Sequence, residues 1–233
     1  MPPKRPAQKK RNRASLRILR AALLVLAGAY GLVALSLLYL RWLPPITTAV
    51  HIERRIQARW HGKTYHKRYD FVPLARISLD LRHAVIAAED TRFYQHHGFD
   101  WVEIGKVVGQ DLERRHLGRG ASTITQQLVK NLYLTTSRSL VRKGLEFALV
   151  PLAEWILPKD RILELYLNVI EWGPAVYGAE AAARYHYGIR AAQVSRLQAA
   201  ALAAIIPAPL SRKPARMDNY SREILARMQS MGW

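Results

Sequence analysis

Two polar clusters in the sequence have the residue types that group-transfer chemistry needs. The first spans residues 89–98 and reads EDTRFYQHHG, directly after the apolar segment HAVIAA. We expect that segment to be a buried helix, and a carboxylate at the end of a buried helix is poorly solvated. Poor solvation raises the pKa of a carboxyl group toward the range useful for proton transfer. Glu89 is therefore a candidate general base; the alternative is a plain helix end closed by Gly98 as the C′ residue.

The second cluster spans residues 118–131 and reads GRGASTITQQLVKN. Ser122 and Thr123 could cap a helix, and the free N–H groups at a helix start attract phosphate. Lys130 lies near the end of this segment, and three further cations follow it: Arg138, Arg142 and Lys143. This combination predicts a diphosphate-binding site without a P-loop. A basic face turned to solvent is the alternative that spacing alone leaves open.

Other catalytic patterns are absent from the sequence. There is no cysteine, which excludes disulfides, thiolate metal sites and cysteine nucleophiles. No H-E-x-x-H pattern occurs, and the adjacent His96 and His97 would point apart on a helix, so a histidine metal site has little support. The G-x-S-x-G and P-loop patterns are also missing, which disfavours an α/β-hydrolase or a P-loop enzyme.

Helices are the elements predicted to position these clusters. Ser78 and Asp100 are candidate N-caps, the latter with a glutamate three residues on in the capping-box position. Amphipathic or alanine-rich stretches cover 137–157, 159–171 and 192–206. In the second of these, the residues expected to face inward are Ile162, Leu165, Tyr166 and Val169. Strand signals are few, so we predict a mostly α domain.

The first forty residues predict a membrane anchor. Residues 1–20 carry eight basic and no acidic side chains, and residues 21–40 carry no charge. Twenty helical residues span about 30 Å, the thickness of a hydrocarbon core. The apolar run is longer than that of a signal peptide and ends in RWLPP rather than a small-residue cleavage site, which favours an uncleaved signal anchor. The positive-inside rule places the N-terminus in the cytoplasm and the residues after the anchor outside, which in a bacterium means the periplasmic face of the inner membrane.

The charge balance points to an anionic partner. Lys and Arg number 36 against 17 Asp and Glu, a net charge of +19. Eight of these cations lie in the tail, where they orient the anchor and contact anionic lipid, and the others still outnumber the acids. We do not expect nucleic acid binding. The predicted organisation is a basic tail (1–20), a transmembrane anchor (21–40), a linker with one short extended segment (41–71) and one domain (72–233).

Five segments resemble, in family order, the motifs of the peptidoglycan glycosyltransferases, glycosyltransferase family 51. EDxxFxxHxG at 89–98 is similar to the first motif, and GxSTITQQLxKN at 120–131 is similar to the second nearly letter for letter. RKxxE at 142–146 is similar to the third motif, and RILExYLN at 161–168 is similar to the fourth. WG at 172–173, with YG at 177–178 and AA at 182–183, is similar to the fifth. The resemblance covers approximately residues 72–214.

The chain departs from the family pattern at three places. His186-Tyr187 stands where a Tyr-Phe pair is more usual, Gln198 where glutamate is common, and Pro151 interrupts the helix after the third motif. None is a residue assigned to chemistry, so these departures concern local packing. The sequence stops soon after the last motif without an S-x-x-K or K-T-G pattern, so it resembles the monofunctional members rather than bifunctional penicillin-binding proteins.

The resemblance implies a lysozyme-like helical fold with a smaller, membrane-associated lobe. It also implies a reaction in which the 4-hydroxyl of lipid II attacks a glycan chain carried on undecaprenyl diphosphate. A β-1,4 bond then forms with inversion and undecaprenyl diphosphate leaves. No organic cofactor is expected, and a divalent cation, Mg²⁺ or Mn²⁺, could assist. Partners would be the lipid-linked substrates and the membrane; division or elongation proteins could be others.

Motif position assigns the site residues. The resemblance implies that Glu89 is the general base and that Glu146 is a second carboxylate, which orients the basic residues or a metal. The residues implied to bind diphosphate or line the cleft are Lys130, Arg138, Arg142, Lys143, Asp90, Phe93, His96, Gly98, Ser122, Thr123, Gln126, Gln127 and Asn131.

Two other classes of function remain as alternatives. A membrane-anchored glycan hydrolase on the same fold would act on finished polymer and would need no diphosphate site, so the STITQQLVKN segment and its cations argue against it. A non-enzymatic scaffold that recruits division or elongation proteins would be marked by loss of both carboxylates, and Glu89 and Glu146 are both present.

Overall fold

A computed structural model describes residues 6–114, 122–137 and 139–233. The described part of the chain is mostly helical, as predicted. Its helices are α1 (Pro6–Leu40), α2 (Ala49–Trp60), α3 (Leu79–Glu89), α4 (Trp101–Arg114), α5 (Ile124–Tyr133), α6 (Leu140–Ile156), α7 (Lys159–Val169), α8 (Ala179–Tyr187), α9 (Arg196–Ala203) and α10 (Asp218–Ser230). Its strands are β1 (Arg68–Tyr69), β2 (Glu171–Gly173) and β3 (Val176–Tyr177).

Two helices position the polar clusters and pack in the core: α3 ends where the first cluster begins, and α5 contains much of the second. Helix α5 packs against α2, α6 and α7, and helix α3 packs against α9 and α10. The inward face predicted for 159–171 is confirmed, because Ile162, Leu165, Tyr166 and Val169 have no exposed surface. Each large apolar side chain buried in this way stabilises the fold by about 1.5–3 kcal/mol. Helix α5 is therefore held rigidly beside α7, and α3 is held against α9 and α10.

A small sheet joins the domain's entry segment to its second half. The strand order is β1-β3-β2, with β1 parallel and β2 antiparallel to β3. Gly178 follows β3 at a φ of +87°, and a β-carbon there would lie 2.6 Å from the Asn168 carbonyl oxygen. The Asn168 side chain also exchanges two hydrogen bonds of 2.9 Å with the Val72 backbone. The fourth motif thus fixes where the chain enters the domain.

The segment 41–71, expected to be a linker, contains helix α2 and strand β1. Thr48 caps α2 by accepting a hydrogen bond from the His51 amide, and the buried His51 ring contacts the Val169 carbonyl at 3.0 Å. The short extended segment is confirmed as β1. The helix was missed because its buried face includes a histidine, while arginines, a glutamate and a glutamine cover its other faces and give the sequence a polar appearance.

Helix α1 has the length and composition to cross a membrane. Its apolar part, Leu16–Leu40, has 25 residues and a mean hydropathy of 2.3. The C-terminal end of α1 is docked on the domain, because Leu37 and Leu40 are buried. Arg161, in the fourth motif, donates hydrogen bonds of 2.8 Å to the carbonyls of Leu40 and Leu43. A motif residue therefore ties the apolar helix to the domain.

The predicted helix ends are mostly confirmed. Ser78 accepts a hydrogen bond from the Leu81 amide, and Asp100 accepts bonds from the first amides of α4. Pro151 lies inside α6, which continues from Leu140 to Ile156, so the expectation that it interrupts this helix is wrong. The helix predicted for 192–206 is shorter than expected, because Ser195 caps α9 and starts it later. Gln198, one of the departures from the family pattern, completes that capping box by accepting from the Ser195 amide at 3.0 Å.

Candidate active site

The candidate base ends a buried helix, as the sequence predicted. Leu81, Val85 and Ile86 of α3 lie in the core, and Glu89 is the last residue of the helix. The Glu89 side chain is partly buried and faces a cleft. Burial raises the pKa of Glu89, while a hydrogen bond from Gln127 and the charge of Lys130 oppose that rise. The carboxylate is thus desolvated enough to accept a proton yet is held by two stabilising contacts.

Gly98 does not close helix α3, so that alternative interpretation is wrong. The helix ends at Glu89 with Asp90 as its C-cap, and a short 3₁₀ turn separates it from Gly98. Gly98 has a φ of +89°, and a β-carbon there would lie 2.4 Å from Cγ1 of Val150. Glycine is required at this position because the loop passes against α6.

Asp90 and His96 form the frame that joins the two clusters. Asp90 is buried; its Oδ1 accepts a hydrogen bond from His96 Nε2 at 2.9 Å, and its Oδ2 accepts one from the Ile124 amide at 3.0 Å. Thr123 Oγ1 donates to the Gly98 carbonyl at 2.6 Å. These bonds fix the end of α3 against the start of α5.

Two further predicted substrate contacts are part of this frame. Phe93 is fully buried in the core. Gln126 has 2% of its surface exposed, and its Oε1 accepts the Thr123 amide at 2.8 Å in a capping box at the start of α5. Because their polar or aromatic groups are already engaged inside the protein, both residues shape the site without facing its cleft.

Gln127 is the side chain of α5 that contacts the candidate base. Its Nε2 donates to Glu89 Oε2 at 2.6 Å, and its Oε1 accepts a hydrogen bond from the Tyr166 hydroxyl at 2.9 Å. Sequence reasoning assigned Tyr166 to core packing alone. Tyr166 belongs to the fourth motif, and this was the sequence signal that it could contact residues of the first two motifs.

Lys130 lies one turn beyond Gln127 on α5, where the charges of both Glu89 and Glu146 act on it. Burial lowers its pKa, and the charges of Glu146 and Glu89 oppose that effect. In the described part of the chain, no hydrogen bond or ion pair occupies its ammonium group. Asn131, the next residue, donates to the Gln127 carbonyl at 2.8 Å. Lys130 is therefore a desolvated cation available to an anionic group in the cleft.

Glu146 is buried and bound by two cations. Its oxygens lie 2.5 Å from Arg142 Nη1 and 2.5 Å from Lys143 Nζ, and Lys143 Nζ lies 3.5 Å from Ser122 Oγ. A carboxylate held in this way orients the two cations and is poorly placed to act as a base. Arg138 and residues 118–121, which belong to the predicted diphosphate site, lie outside the described residues.

The Glu89–Gln127 hydrogen bond joins the linings of two clefts. One, of about 270 Å³, is rich in carboxylates and is lined in part by Glu89, Asp90, Asp100, Glu103, Ser122, Thr123 and Arg227. The other, of about 470 Å³, is lined in part by Gln127, Lys130, Asn131, Arg142 and Arg54. The candidate base thus lies where an acidic cleft adjoins a basic one.

The contacts already made by Asp90, Asp100 and Glu146 do not fit a resident divalent cation held by these three carboxylates. Asp90, His96 and Asp100 offer ligand atoms within 4.8 Å of one another. However, both oxygens of Asp90 accept hydrogen bonds from the protein, and Asp100 Oδ1 accepts two amides. Both oxygens of Glu146 are likewise bound by cations. A metal would have to displace the bonds that hold the site together.

Comparison with known proteins agrees with the motif resemblance. A sequence model of the family described as Transglycosylase matches residues 55–231. A biosynthetic peptidoglycan transglycosylase of Pseudomonas aeruginosa is 42% identical over 217 residues, which cover 93% of this chain and 91% of that protein. Proteins of the same description from Pseudomonas entomophila (45%, covering 88% and 84%) and Neisseria meningitidis (44%, covering 88% of each) are also similar. This chain therefore belongs to the transglycosylase family, and it is a peptidoglycan glycosyltransferase of cell-wall synthesis.

Proposed function

We propose that this chain polymerises glycan strands from lipid II, with Glu89 as the general base. The observation that carries the proposal is the position of Glu89. Its carboxylate is partly buried at the end of α3, is held by Gln127 and lies where an acidic cleft adjoins a basic one. Such a carboxylate can take a proton from a hydroxyl group while nearby cations stabilise a leaving anion.

The proposed step is a single displacement. Glu89 accepts the proton of the acceptor's 4-hydroxyl as that oxygen bonds to the anomeric carbon of the donor chain. The bond from the anomeric carbon to the diphosphate oxygen breaks, and its electron pair leaves with undecaprenyl diphosphate. Attack opposite the leaving group converts an α linkage into a β-1,4 bond.

The basic cleft suits the leaving diphosphate. The Lys130 ammonium has no hydrogen-bond or ion-pair partner among the described residues. Arg142 lines the same cleft as Lys130, and a hydrogen bond to Glu146 orients its side chain. Charge-assisted bonds to these groups would strengthen as negative charge develops on the diphosphate. Arg138 remains a predicted further contact. A divalent cation that arrives on the diphosphate also remains a prediction, and no step of the proposal uses one.

The apolar surfaces of the chain support action at a membrane. Trp101 is 66% exposed at the start of α4, and Leu140 and Val141 are 92% and 76% exposed at the start of α6. Phe99 connects these helices, with its ring 5.5 Å from that of Trp101 and 4.5 Å from that of Phe147. Together with α1, this group would dip into the bilayer that carries the lipid-linked substrates. We propose a single-pass inner-membrane protein with a periplasmic domain.

Product analysis with lipid II as the sole substrate tests this function. The wild-type protein should produce glycan polymer and release undecaprenyl diphosphate, and Lys130→Met should reduce both products together. A matched incubation with preformed glycan should show no shortening. Shortening of glycan that is insensitive to Lys130→Met, with no polymer from lipid II, would establish the hydrolase alternative instead.

A further inference from the structure

A chain of hydrogen bonds connects a core tyrosine to the proposed base. The Tyr166 hydroxyl of α7 donates to Gln127 Oε1 at 2.9 Å, and Gln127 Nε2 donates to Glu89 Oε2 at 2.6 Å. Tyr166 itself has no exposed surface. It therefore cannot touch a substrate, and any effect on the reaction must pass through Gln127.

The Tyr166 phenol determines which groups donate and which accept in this series of hydrogen bonds. Burial raises the pKa of Tyr166 well above its usual range, and the charges of Glu89 and Asp90 add to the effect, so the hydroxyl keeps its proton. A hydrogen bond from this proton selects the oxygen of the Gln127 amide rather than its nitrogen. The amide N–H group is then left facing Glu89. A rotated amide would instead place its oxygen against the carboxylate, where two acceptors repel.

We propose that Tyr166 is a positioning residue that holds the Gln127 amide in the orientation in which its N–H donates to Glu89. The inference rests on the proposed role of Glu89 as the base. Gln127 in turn fixes the carboxylate at the junction of the two clefts and stabilises its ionised form. Without the phenol hydroxyl, the Gln127 oxygen loses its donor and the amide is free to rotate.

Other charged groups around Glu89 also act on its pKa. Lys130 of α5 and Arg212, which follows α9, favour the ionised carboxylate, while Asp90 disfavours it. The other charged residues lining the same cleft are Asp100, Glu103 and Arg227. None of these side chains has a hydrogen bond to Glu89 in the described part of the chain. Loss of the Gln127 hydrogen bond should therefore raise the pKa of Glu89.

The pH profile of polymerisation tests the inference. A base works in its ionised form, so the rate rises with pH through the pKa of Glu89. In Tyr166→Phe the acidic limb should move up by about one pH unit, the value of a weakened bond to a charged group. The kcat below the limb should fall by about tenfold with little change in KM, and activity should recover at higher pH. Gln127→Met should move the limb in the same direction.

Tyr177→Phe is the matched control. Tyr177 is also fully buried, and its hydroxyl contacts Tyr65 and Glu171 rather than Gln127. The acidic limb of the pH profile of Tyr177→Phe should coincide with that of the wild type. If Tyr166→Phe does not fold, 3-fluorotyrosine at position 166 keeps the shape and strengthens the donor, and it should move the limb to lower pH.

The outcomes separate this inference from the function on which it rests. If Glu89→Gln polymerises lipid II at near wild-type rate, the base assignment fails and the inference fails with it. If Glu89→Gln is inactive but neither Tyr166→Phe nor the fluorinated residue moves the acidic limb, the base stands and the inference is overturned. A shift for Gln127→Met but not for Tyr166→Phe also overturns it, because Gln127 would then be oriented without the phenol.

Discussion

Replacing Glu146 with glutamine separates its role from that of Glu89. Glu146 has 3% of its surface exposed, and both of its oxygens lie 2.5 Å from a cation. Glutamine keeps the shape but removes the charge that holds Arg142 and Lys143 together. The substitution should therefore destabilise the protein as well as weaken catalysis, because two cations are left close to each other in a partly desolvated site.

The size of the loss follows from the exposure of the partners. A hydrogen bond to a charged group contributes about 1.5–3 kcal/mol. The Arg142 side chain is 17% exposed and counts nearly in full, whereas the Lys143 side chain is 36% exposed and its contribution is largely screened. We expect a loss of about 2–3 kcal/mol in the free energy of unfolding. For a domain of this size that lowers Tm by about 5–10 °C.

The same substitution should change the pH dependence of activity. The charge of Glu146 raises the pKa of Lys130 against the lowering effect of burial. Without that charge, the Lys130 ammonium loses its proton at lower pH. The alkaline limb of the pH–rate profile should therefore move to lower pH.

Thermal unfolding in detergent and the rate profile are the two measurements. Glu103→Gln is the matched control for stability, because Glu103 forms an exposed pair with Lys106 at 3.6 Å and its loss should stay within about 0.5 kcal/mol. A Glu146→Gln protein as stable as this control, with an unchanged alkaline limb, would refute the reasoning.

Three further predictions follow from the site and the anchor. Lys130→Met should lower kcat by about tenfold or more with a smaller rise in KM, measured with lipid II, because a contact to the leaving diphosphate strengthens in the transition state; a change in KM alone would contradict this. Gly98→Ala should cost about 2–4 kcal/mol in chemical denaturation, because of its φ of +89° and the contact with Val150. Gly144→Ala, in α6 with open space around it, should be neutral or slightly stabilising. A phosphatase reporter fused after Trp233 should be active in the periplasm, and activity of a cytoplasmic reporter there would reverse the topology.

Local signals were sufficient to predict most helix ends and the candidate base. Ser78, Asp100 and Thr123 cap helices because short polar side chains satisfy free amides at a helix start, which is a property of a few adjacent residues. The raised pKa of Glu89 could be predicted because the apolar segment before it had to be buried. Both inferences depend only on neighbours in the sequence.

Features that depend on distant contacts could not be read in this way. The role of Tyr166 depends on the packing of α7 beside α5. From the sequence alone, a tyrosine on the inward face of a helix is predicted only to pack in the core. Gly98 is needed because of Val150, more than fifty residues away. Helix α2, which packs on α5, was missed because its buried residues Val50 and His51 lie in an otherwise polar segment. Sequence periodicity does not show which surface an element will meet.

The measurement that tests the central claim most directly is lipid II polymerisation by Glu89→Gln. Glutamine keeps the shape at the end of α3 but cannot accept the hydroxyl proton, so the rate should fall by about 10²–10⁴. Asp80→Asn is the control, because it removes a carboxylate from the first turn of the same helix, away from the clefts, and should retain the wild-type rate. A Glu89→Gln protein that polymerises lipid II at more than half the wild-type rate would contradict the assignment of Glu89 as the base.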